Sequence, residues 1–596
     1  MRPIRLPSVF FFLLVSALAL GQETRHDEIV VTGTADPVPL EEMDRTVTVL
    51  PLDGQRLLAT ALVDFLRLEP ALDVRARAPG GVQTDVSIRG GSFGQTLVLV
   101  DGQRVNDAQT GHHNMDLVLP LEAVDRVEVL RGSGSTFYGS DATGGVINVI
   151  TRQPEAAEAR VTVGAGNFGT NFERTTLAGV AGRFTGLLAL ERDFTSGFQP
   201  GRDARNLSTA STLRARTALG TSSVILGYSD RPYGADQFYG NYNSWENTKT
   251  WFASFRQDLG EKTEAAFSYR RHSDLFVLER YQPWIYTNHH ADETYDASLR
   301  RREPLAANAS LHYGVEGHND SIASTNLGEH DRGRAAAYVS FDVRALRRFS
   351  FSIGAREEVW RRFSGQLSPN LAAGVWLSSK WKLRASASRG FRVPTYTELY
   401  YRDPANFGSP LLRPETAWTY EGGADWIPRD SVRISAAVFE RRETNDIDYV
   451  RASLTDPWRA VNLTKLNFTG AEITAAVVPL RGQRLSISYE ALHGAEQSLA
   501  GLVSKYVFNY PSQSGVIAWQ AALPHGIAAR SRVAVLNRLG RPAYTLVDAS
   551  AAYGQGRIRP FLQLTNLAGA RYEEIMGVAM PGRGIVGGLE FILRGK

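Results

Sequence analysis

Cysteine is absent from all 596 residues, which removes zinc ribbons, thiol redox centres, cysteine nucleophiles and disulfide staples together. An exported form must then be held by its own strand pairing and packing. An excess of one charge is missing too. The chain has 66 basic and 62 acidic residues for a net +4, so it lacks the one-sided basic stripe that phosphate backbones select, and nucleic acid is not an expected partner. Past the first twenty residues, nothing approaches the roughly 18 consecutive apolar residues that a spanning helix needs. If this chain lives in a membrane, it crosses as strands. No nucleophile motif, paired-carboxylate spacing, metal cluster or blade repeat stands out, so a secreted all-β enzyme such as a propeller is not expected.

The apolar run that does occur is at the start. Arg2 and Arg5 precede the stretch from Val9 to Leu20, and Ala19-Leu20-Gly21 offers a small-residue cleavage site, so residues 1–21 read as a secretory signal peptide. Residues 22–40 form a polar leader around Asp27-Glu28-Ile29-Val30-Val31-Thr32-Gly33, followed by Pro37 and Pro39. An isolated β-branched run beside a proline linker packs no core of its own and should stay mobile until a partner supplies a strand edge.

From Gly81 to Thr151 three short runs carry strand signals: Thr96 to Val100, Val124 to Leu130 and Gly145 to Thr151, each bounded by Gly, Asp, Asn or Pro. Asp101-Gly102 follows the first run and predicts a tight turn, because Gly adopts φ > 0 freely. Thr46 to Leu50 alternates as a strand, and Thr60 to Leu68 places Leu62, Phe65 and Leu66 on one helical face before Pro70. These features predict a small α+β domain over residues 41–153 with two polar loops, Gly90 to Gln95 and Asn106 to Asp116. The adjacent His112 and His113 would point to opposite faces of a strand, and no third ligand is evident, so they read as solvent-exposed loop residues and no metal site is assigned.

From Pro154 to the end the apolar period is two. Ala337, Val339, Phe341 and Val343 alternate with Tyr338, Ser340, Asp342 and Arg344, and Leu485, Ile487 and Tyr489 alternate with Ser486, Ser488 and Glu490. One greasy face and one wet face describe a lipid-facing wall around an aqueous lumen, and only a closed barrel leaves no bare edge in hydrocarbon. At roughly 20 residues per tilted strand with its connection, residues 154–596 give about 22 antiparallel strands. Ser378-Ser379-Lys380 looks like an inner turn, while Tyr233 to Asn247 and Tyr281 to Thr294 look like outer loops. Trp251, Trp360, Trp376, Trp381, Trp418 and Trp426 are candidates for the interfacial girdles. Gly164-Ala165-Gly166-Asn167-Phe168-Gly169 matches a dinucleotide fingerprint but lacks the strand-turn-helix context, so it belongs to the first barrel strand and its loop.

Four motifs carry a family resemblance. Ile88-Arg89-Gly90, Val98-Leu99-Val100-Asp101-Gly102, Arg126-Val127-Glu128-Val129-Leu130-Arg131-Gly132, and Tyr138-Gly139-Ser140-Asp141-Ala142 ahead of Gly144 to Thr151 closely resemble, in order and spacing, the plug domain of TonB-dependent outer-membrane receptors. Phe391 to Tyr396, Glu398-Leu399-Tyr400, Leu412 to Glu415 and the ending around Leu564 to Leu567, Arg571-Tyr572 and Pro581 to Arg583 resemble the barrel of the same family. The ending departs from the family's usual terminal aromatic, since Leu593 is followed by Arg594-Gly595-Lys596.

The resemblance implies an all-β transmembrane barrel with an N-terminal plug inside its lumen, in the outer membrane of a Gram-negative-type bacterium. It makes Asp27 to Gly33 the TonB box, and gives TonB of the inner-membrane motor complex, outer-membrane lipid, an extracellular metal chelate and a periplasmic binding protein as partners. The implied activity is uptake of a ferric siderophore or a cobalamin-type corrinoid, not catalysis, with no resident cofactor; any iron or cobalt belongs to the cargo. No dense aspartate cluster resembles the calcium site of the cobalamin branch. A passive porin or structural adhesin is the alternative, and it would need neither plug nor TonB box. Plug loops of the family point toward the ligand, which nominates Ser92, Phe93, Asn106, Asp107, His112 and Asn114, with Tyr239, Trp245, Trp284 and Tyr286 above them. Arg89 and Arg131 match two plug arginines that face barrel glutamates, and Glu421 and Glu472, each in a strand near Gly, are their expected partners.

Overall fold

The structure is a computed structural model that describes residues 29–34, 37–346, 348–495, 499 and 501–594. The signal peptide and residues Asp27 and Glu28 of the leader lie outside the described residues.

Twenty-two long antiparallel strands, from Glu158–Gly166 to Gly584–Arg594, form a closed barrel. Closure comes from pairing of the last strand with the first, Arg594 opposite Glu158 through Val586 opposite Gly166. Two more strands of two residues each, Asn406–Phe407 and Val503–Ser504, sit on loops. The alternation in the sequence becomes the two faces of the wall: Val339, Ile487 and Tyr489 are exposed outward, whereas Ser340, Asp342, Ser488 and Glu490 are buried inward. Among the described residues no helix is long and apolar enough to cross a membrane. Gly164 belongs to the first strand, where an added side-chain carbon would run into the ring of Phe172.

Two expectations about the wall need correction. The strands Gly220–Asp236 and Asn243–Leu259 stay paired up to Asp236 opposite Asn243, and Thr263–Val277 and Thr287–Ala306 up to Val277 opposite Thr287, which leaves connections of only 237–242 and 278–286. Polar residues such as Ser244, Glu246 and Asp292 read as loop composition, but they are buried on the inward face against the plug. Trp360 is the second case. It shares the inward parity of Glu358 and is buried with Phe391 and Val393, whereas Trp251, Trp381, Trp418 and Trp426 are exposed outward.

The lumen is filled by the plug. Its five-stranded sheet runs Val47–Pro51, Val124–Arg131, Gly145–Thr151, Thr96–Val100, Gln103–Arg104 in spatial order, with Thr96–Val100 and Gly145–Thr151 parallel. Both faces are covered: Val98, Val127, Val129, Ile147 and Val149 pack on one side, and Leu97, Leu99, Leu130 and Val146 on the other. That is why these strands read as continuous apolar runs and not as alternation. Asp101 (φ 47°) and Gly102 (φ 80°) make the tight turn to Gln103–Arg104, and the Asp101 carboxylate accepts from Thr151 N and Oγ1 at 2.8 and 2.6 Å. The helix expected over Thr60 to Leu68 is a single turn, Val63–Leu66, and Asp64 within it accepts from Thr60 N and Oγ1 just ahead of it. The core does not stop at the plug, for Leu187, Ala189, Ala210, Ile225 and Phe252 of the barrel wall belong to the same apolar cluster as Val98 and Val149.

Candidate functional site

Three regions of the plug meet something other than itself: the leader below, the wall at mid-height and the mouth above. The leader does not wait for a partner to supply an edge. Ile29 and Val30 pair with Pro39 and Val38, and Val30 is buried with Val38, Met43 and Val49. The Glu128 carboxylate, fully buried, then accepts from Val31 N and Thr32 N, each at 2.9 Å, and from Thr32 Oγ1 at 2.7 Å. Gly33 N donates to the Tyr138 hydroxyl at 3.2 Å, and Asn148 donates to Thr32 Oγ1 at 3.0 Å. A short run that lacks a core of its own is thus stored against the plug by charge-assisted hydrogen bonds, which are about twice as strong as neutral ones.

At mid-height Arg89 crosses from the plug to the wall. Its Nε and Nη2 donate to Glu472 at 2.5 and 3.0 Å, and its Nη1 donates to Glu421 at 2.6 Å. Its guanidinium also lies 4.2 Å over the Phe439 ring. Burial alone would lower the Arg89 pKa, but Glu472 and Glu421 outweigh it and raise it. Arg131 reaches the same Glu472 at 2.5 Å and also donates to Glu69 at 2.6 Å and Thr48 Oγ1 at 2.5 Å. Arg384 of the strand Trp381–Arg392 joins through Glu421 and through Thr46 Oγ1 at 2.6 Å. Arg89 holds φ at 51° ahead of Gly90 at 72°, a left-handed pair that turns the guanidinium to the wall; a non-glycine residue there stores strain that its surroundings must hold. Further round the ring, Arg538 pairs with Asp73, Arg67 with Glu574 and Arg270 with Asp107.

At the mouth, aromatic rings from plug and wall converge. Phe93 stacks on His112 at 4.2 Å, and Tyr506 meets Phe93 edge-on at 5.2 Å. Across the opening Tyr239 packs edge-on against Phe276 at 5.3 Å, and the Tyr286 hydroxyl lies 3.5 Å from that of Tyr401. Burial and Arg77 lower the His112 pKa against the pull of Asp85, to which its Nδ1 is bonded at 2.7 Å. Cations line the rim: Arg451 lies 4.1 Å over Trp458, Arg459 5.0 Å over Phe407, and Lys505 within 5.7 Å of Tyr449, Trp458 and Tyr506. To one side a solvent-connected cleft of about 290 Å³ runs between plug and wall, lined by Phe168, Phe198, Leu58 and Val63.

A plugged barrel of this kind has relatives. Residues 167–568 match the family model described as TonB dependent receptor-like, beta-barrel, and residues 39–146 match the TonB-dependent Receptor Plug Domain. The chain belongs to the TonB-dependent receptors. It is 24% identical to the vitamin B12 transporter BtuB of Photobacterium profundum over 92% of this chain and 91% of that one, and 25% identical to the iron-regulated outer membrane virulence protein of Vibrio cholerae over 92% of each. Among solved structures it resembles the ferric enterobactin receptor PfeA of Pseudomonas aeruginosa (TM-score 0.76, 15% identity, 92% of this chain and 98% of that one) and the FrpB iron transporter of Neisseria meningitidis (TM-score 0.76, 15% identity, 92% and 99%). The receptor is an outer-membrane protein of a family of transporters, not a class of enzymes, and nothing in its filled lumen favours a passive porin.

The receptor uses several nominated residues differently from the expectation. Asn106 is internal: its Oδ1 accepts from Val98 N at 2.7 Å and its amide donates to Thr96 O. Asp107 pairs with Arg270 at 2.9 Å and accepts from Gln109 N and Thr110 N. Asn114 accepts from Asp107 N and donates to Phe93 O. These three short polar side chains are buried and hold the plug's apical loop, residues 106–116, in shape. Trp245 alternates with the inward Ser244 and Glu246 and is turned out of the lumen. Trp284 stands at the tip of loop 278–286 with 77% of its surface exposed. Phe93, His112, Tyr239 and Tyr286 are brought to the mouth, with Ser92 beside them, its backbone N donating to Gln95 Oε1 at 3.1 Å. Neither adjacent histidine is a solvent-exposed loop residue, because the apical loop lies under the mouth and not above it: His112 is largely covered, and His113 is only 2% exposed. Sequence reasoning missed Tyr506, Phe276 and Tyr401 at the mouth, and Arg384, Thr46 and Glu69 at the latch. Only the alternation of polar residues in Trp381–Arg392 signalled Arg384, as an inward position without a partner.

Proposed function

We propose that the receptor imports an anionic metal chelate of the ferric siderophore type, drawn into the periplasm by TonB acting on the leader at Ile29 to Gly33. The filled lumen carries this reading: the plug is pinned to the wall by Arg89, Arg131 and Arg538, and an outer membrane has no nucleotide supply with which to move it. The proton-motive force of the inner membrane, worth about 2.3 kcal/mol per charge per 100 mV, supplies the work. The leader is the handle because it is a short strand that can pair with a foreign edge once it leaves Glu128. Arg451, Arg459 and Lys505 among the aromatics of the rim suit a negatively charged, ring-bearing chelate, by charge and by cation–π contact. A corrinoid is the second reading, favoured by the long match to a vitamin B12 transporter. A periplasmic binding protein would receive the cargo.

Cells that depend on this receptor should accumulate radiolabelled ferric chelate only while energised. A proton uncoupler should abolish accumulation and leave surface binding unchanged, and a deletion strain should fail on limiting iron while growing on limiting cobalamin. Uncoupler-resistant uptake would overturn the energised reading, and failure on limiting cobalamin alone would select the corrinoid.

A further inference from the structure

Beneath the mouth, the plug's apical loop and the inner faces of Asn243–Leu259, Thr263–Val277 and Thr287–Ala306 enclose a knot of histidines and carboxylates that uptake of a chelate does not explain. His113 and His272 are 2% and 0% exposed, with ring centroids 4.7 Å apart. His113 Nδ1 lies 3.4 Å and His272 Nε2 3.5 Å from the same oxygen, Asp116 Oδ2, and the three atoms fall within 4.8 Å of one another. Neither of these two ring nitrogens has a hydrogen-bond partner. A buried polar atom is costly to leave without a hydrogen bond, so two nitrogens that face one carboxylate oxygen at ion-pair distance only call for a physical reason.

Coordination geometry supplies one. Four tetrahedral N and O ligands at about 2.0–2.2 Å from an ion stand about 3.4 Å from one another, which matches the two nitrogen–oxygen spacings found here. The second ring nitrogens also face carboxylates, at ion-pair distance and without hydrogen-bond geometry for His272 Nδ1. His272 Nδ1 stands 2.9 Å from Asp107 Oδ2, and Asp107 is itself held by Arg270 at 2.9 Å. His113 Nε2 faces Glu246 and Asp274, each at 3.7 Å. Metal-binding histidines ordinarily turn their second nitrogen to a carboxylate, which fixes the tautomer and the ring plane. Two imidazoles and one carboxylate suit zinc and its late first-row neighbours, whereas calcium and magnesium take oxygen donors alone.

We propose that His113, Asp116 and His272 bind one divalent late-transition-metal ion of the zinc type, bridging the plug's apical loop to the barrel wall. Two ligands come from the plug and one from the wall, so the ion ties the two together and its binding should report whether the plug is seated. The fourth position is left to water. The site is separate from the aromatic mouth and does not depend on which chelate is carried.

The test uses the full receptor in detergent, stripped with chelator and titrated with Zn²⁺ alone by calorimetry, then with Co²⁺ alone by absorption. One equivalent of zinc per chain and a cobalt spectrum of four-coordinate N/O type are expected. His113→Ala and His272→Ala should each weaken zinc binding by roughly a hundredfold or more, while His289→Ala, which removes an exposed histidine of a neighbouring strand, should leave it unchanged. The cobalt spectrum of the unmodified protein needs no variant and stands even if a substitution unseats the plug. No stoichiometric binding, or binding that survives both substitutions, would overturn the proposal and leave the knot as protonated imidazoles paired with carboxylates.

Discussion

A receptor carrying Val30→Pro will bind its chelate at the cell surface as the parent does and import none of it. Strand addition uses the backbone N–H and C=O of the leader, and proline removes a donor and fixes φ near −65°, which a paired strand interior does not accept. Val30 lies opposite Val38, in the middle of the stretch that ends at the Glu128 contacts of Val31 and Thr32. The substitution is far from the mouth, so surface binding has no reason to change. Val30→Ala separates backbone from side chain: it keeps the N–H and loses only the contacts with Val38, Met43 and Val49, and it should retain most uptake. Uptake by the proline variant equal to that of the parent would refute the handle. Equal loss in the alanine variant would place the effect in packing instead.

Arg89→Ala should have the second large effect, on the seating of the plug. The guanidinium satisfies Glu472 and Glu421 at once and is 2% exposed. An intact buried ion pair adds little net stability, but removing one partner strands the other and costs about 3–5 kcal/mol. The cost falls on the boundary between plug and wall, because the 22-strand ladder makes no use of Arg89. The variant barrel should therefore keep its heat-modifiable migration in detergent gels, while its plug becomes open to protease and its lumen conducts ions in a planar bilayer. Arg89→Lys should not rescue it, since an ammonium cannot reach two carboxylates in the planar fork that guanidinium offers. Removing Glu472 as well should restore part of the loss, as coupled neighbours are not additive.

The wall was legible because its period is two over hundreds of residues, and the plug strands because their Gly and Asp punctuation falls at the turns, as at Asp101-Gly102. What parity could not deliver was contact across the lumen. Arg89, Glu421 and Glu472 came from a family pattern; Arg384 and Glu69 share their network, but no local spacing links residues 315 apart. Asn106, Asp107 and Asn114 are nominated by the family's loop position, yet a glycine-rich loop must also satisfy its own backbone, and short polar side chains are the means. His113 was misplaced for a related reason. A loop that is outermost in the plug is still inside the barrel, and one sequence window does not show what lies above it.

The most direct test exploits the absence of native thiols. Asp44 lies between the leader and the first plug strand, and a side-chain carbon added at Gly374 of the wall would run into its carboxylate, so cysteines at both positions are within reach of a disulfide. Along the chain, a pull on the leader passes through residue 44 before it reaches the first strand of the plug's sheet. With the bond formed, receptor-dependent growth on limiting ferric chelate should stop while surface binding persists, and reductant should restore growth. Undiminished growth with the bond quantitatively formed would contradict an account in which cargo enters only when the plug is drawn away from the wall.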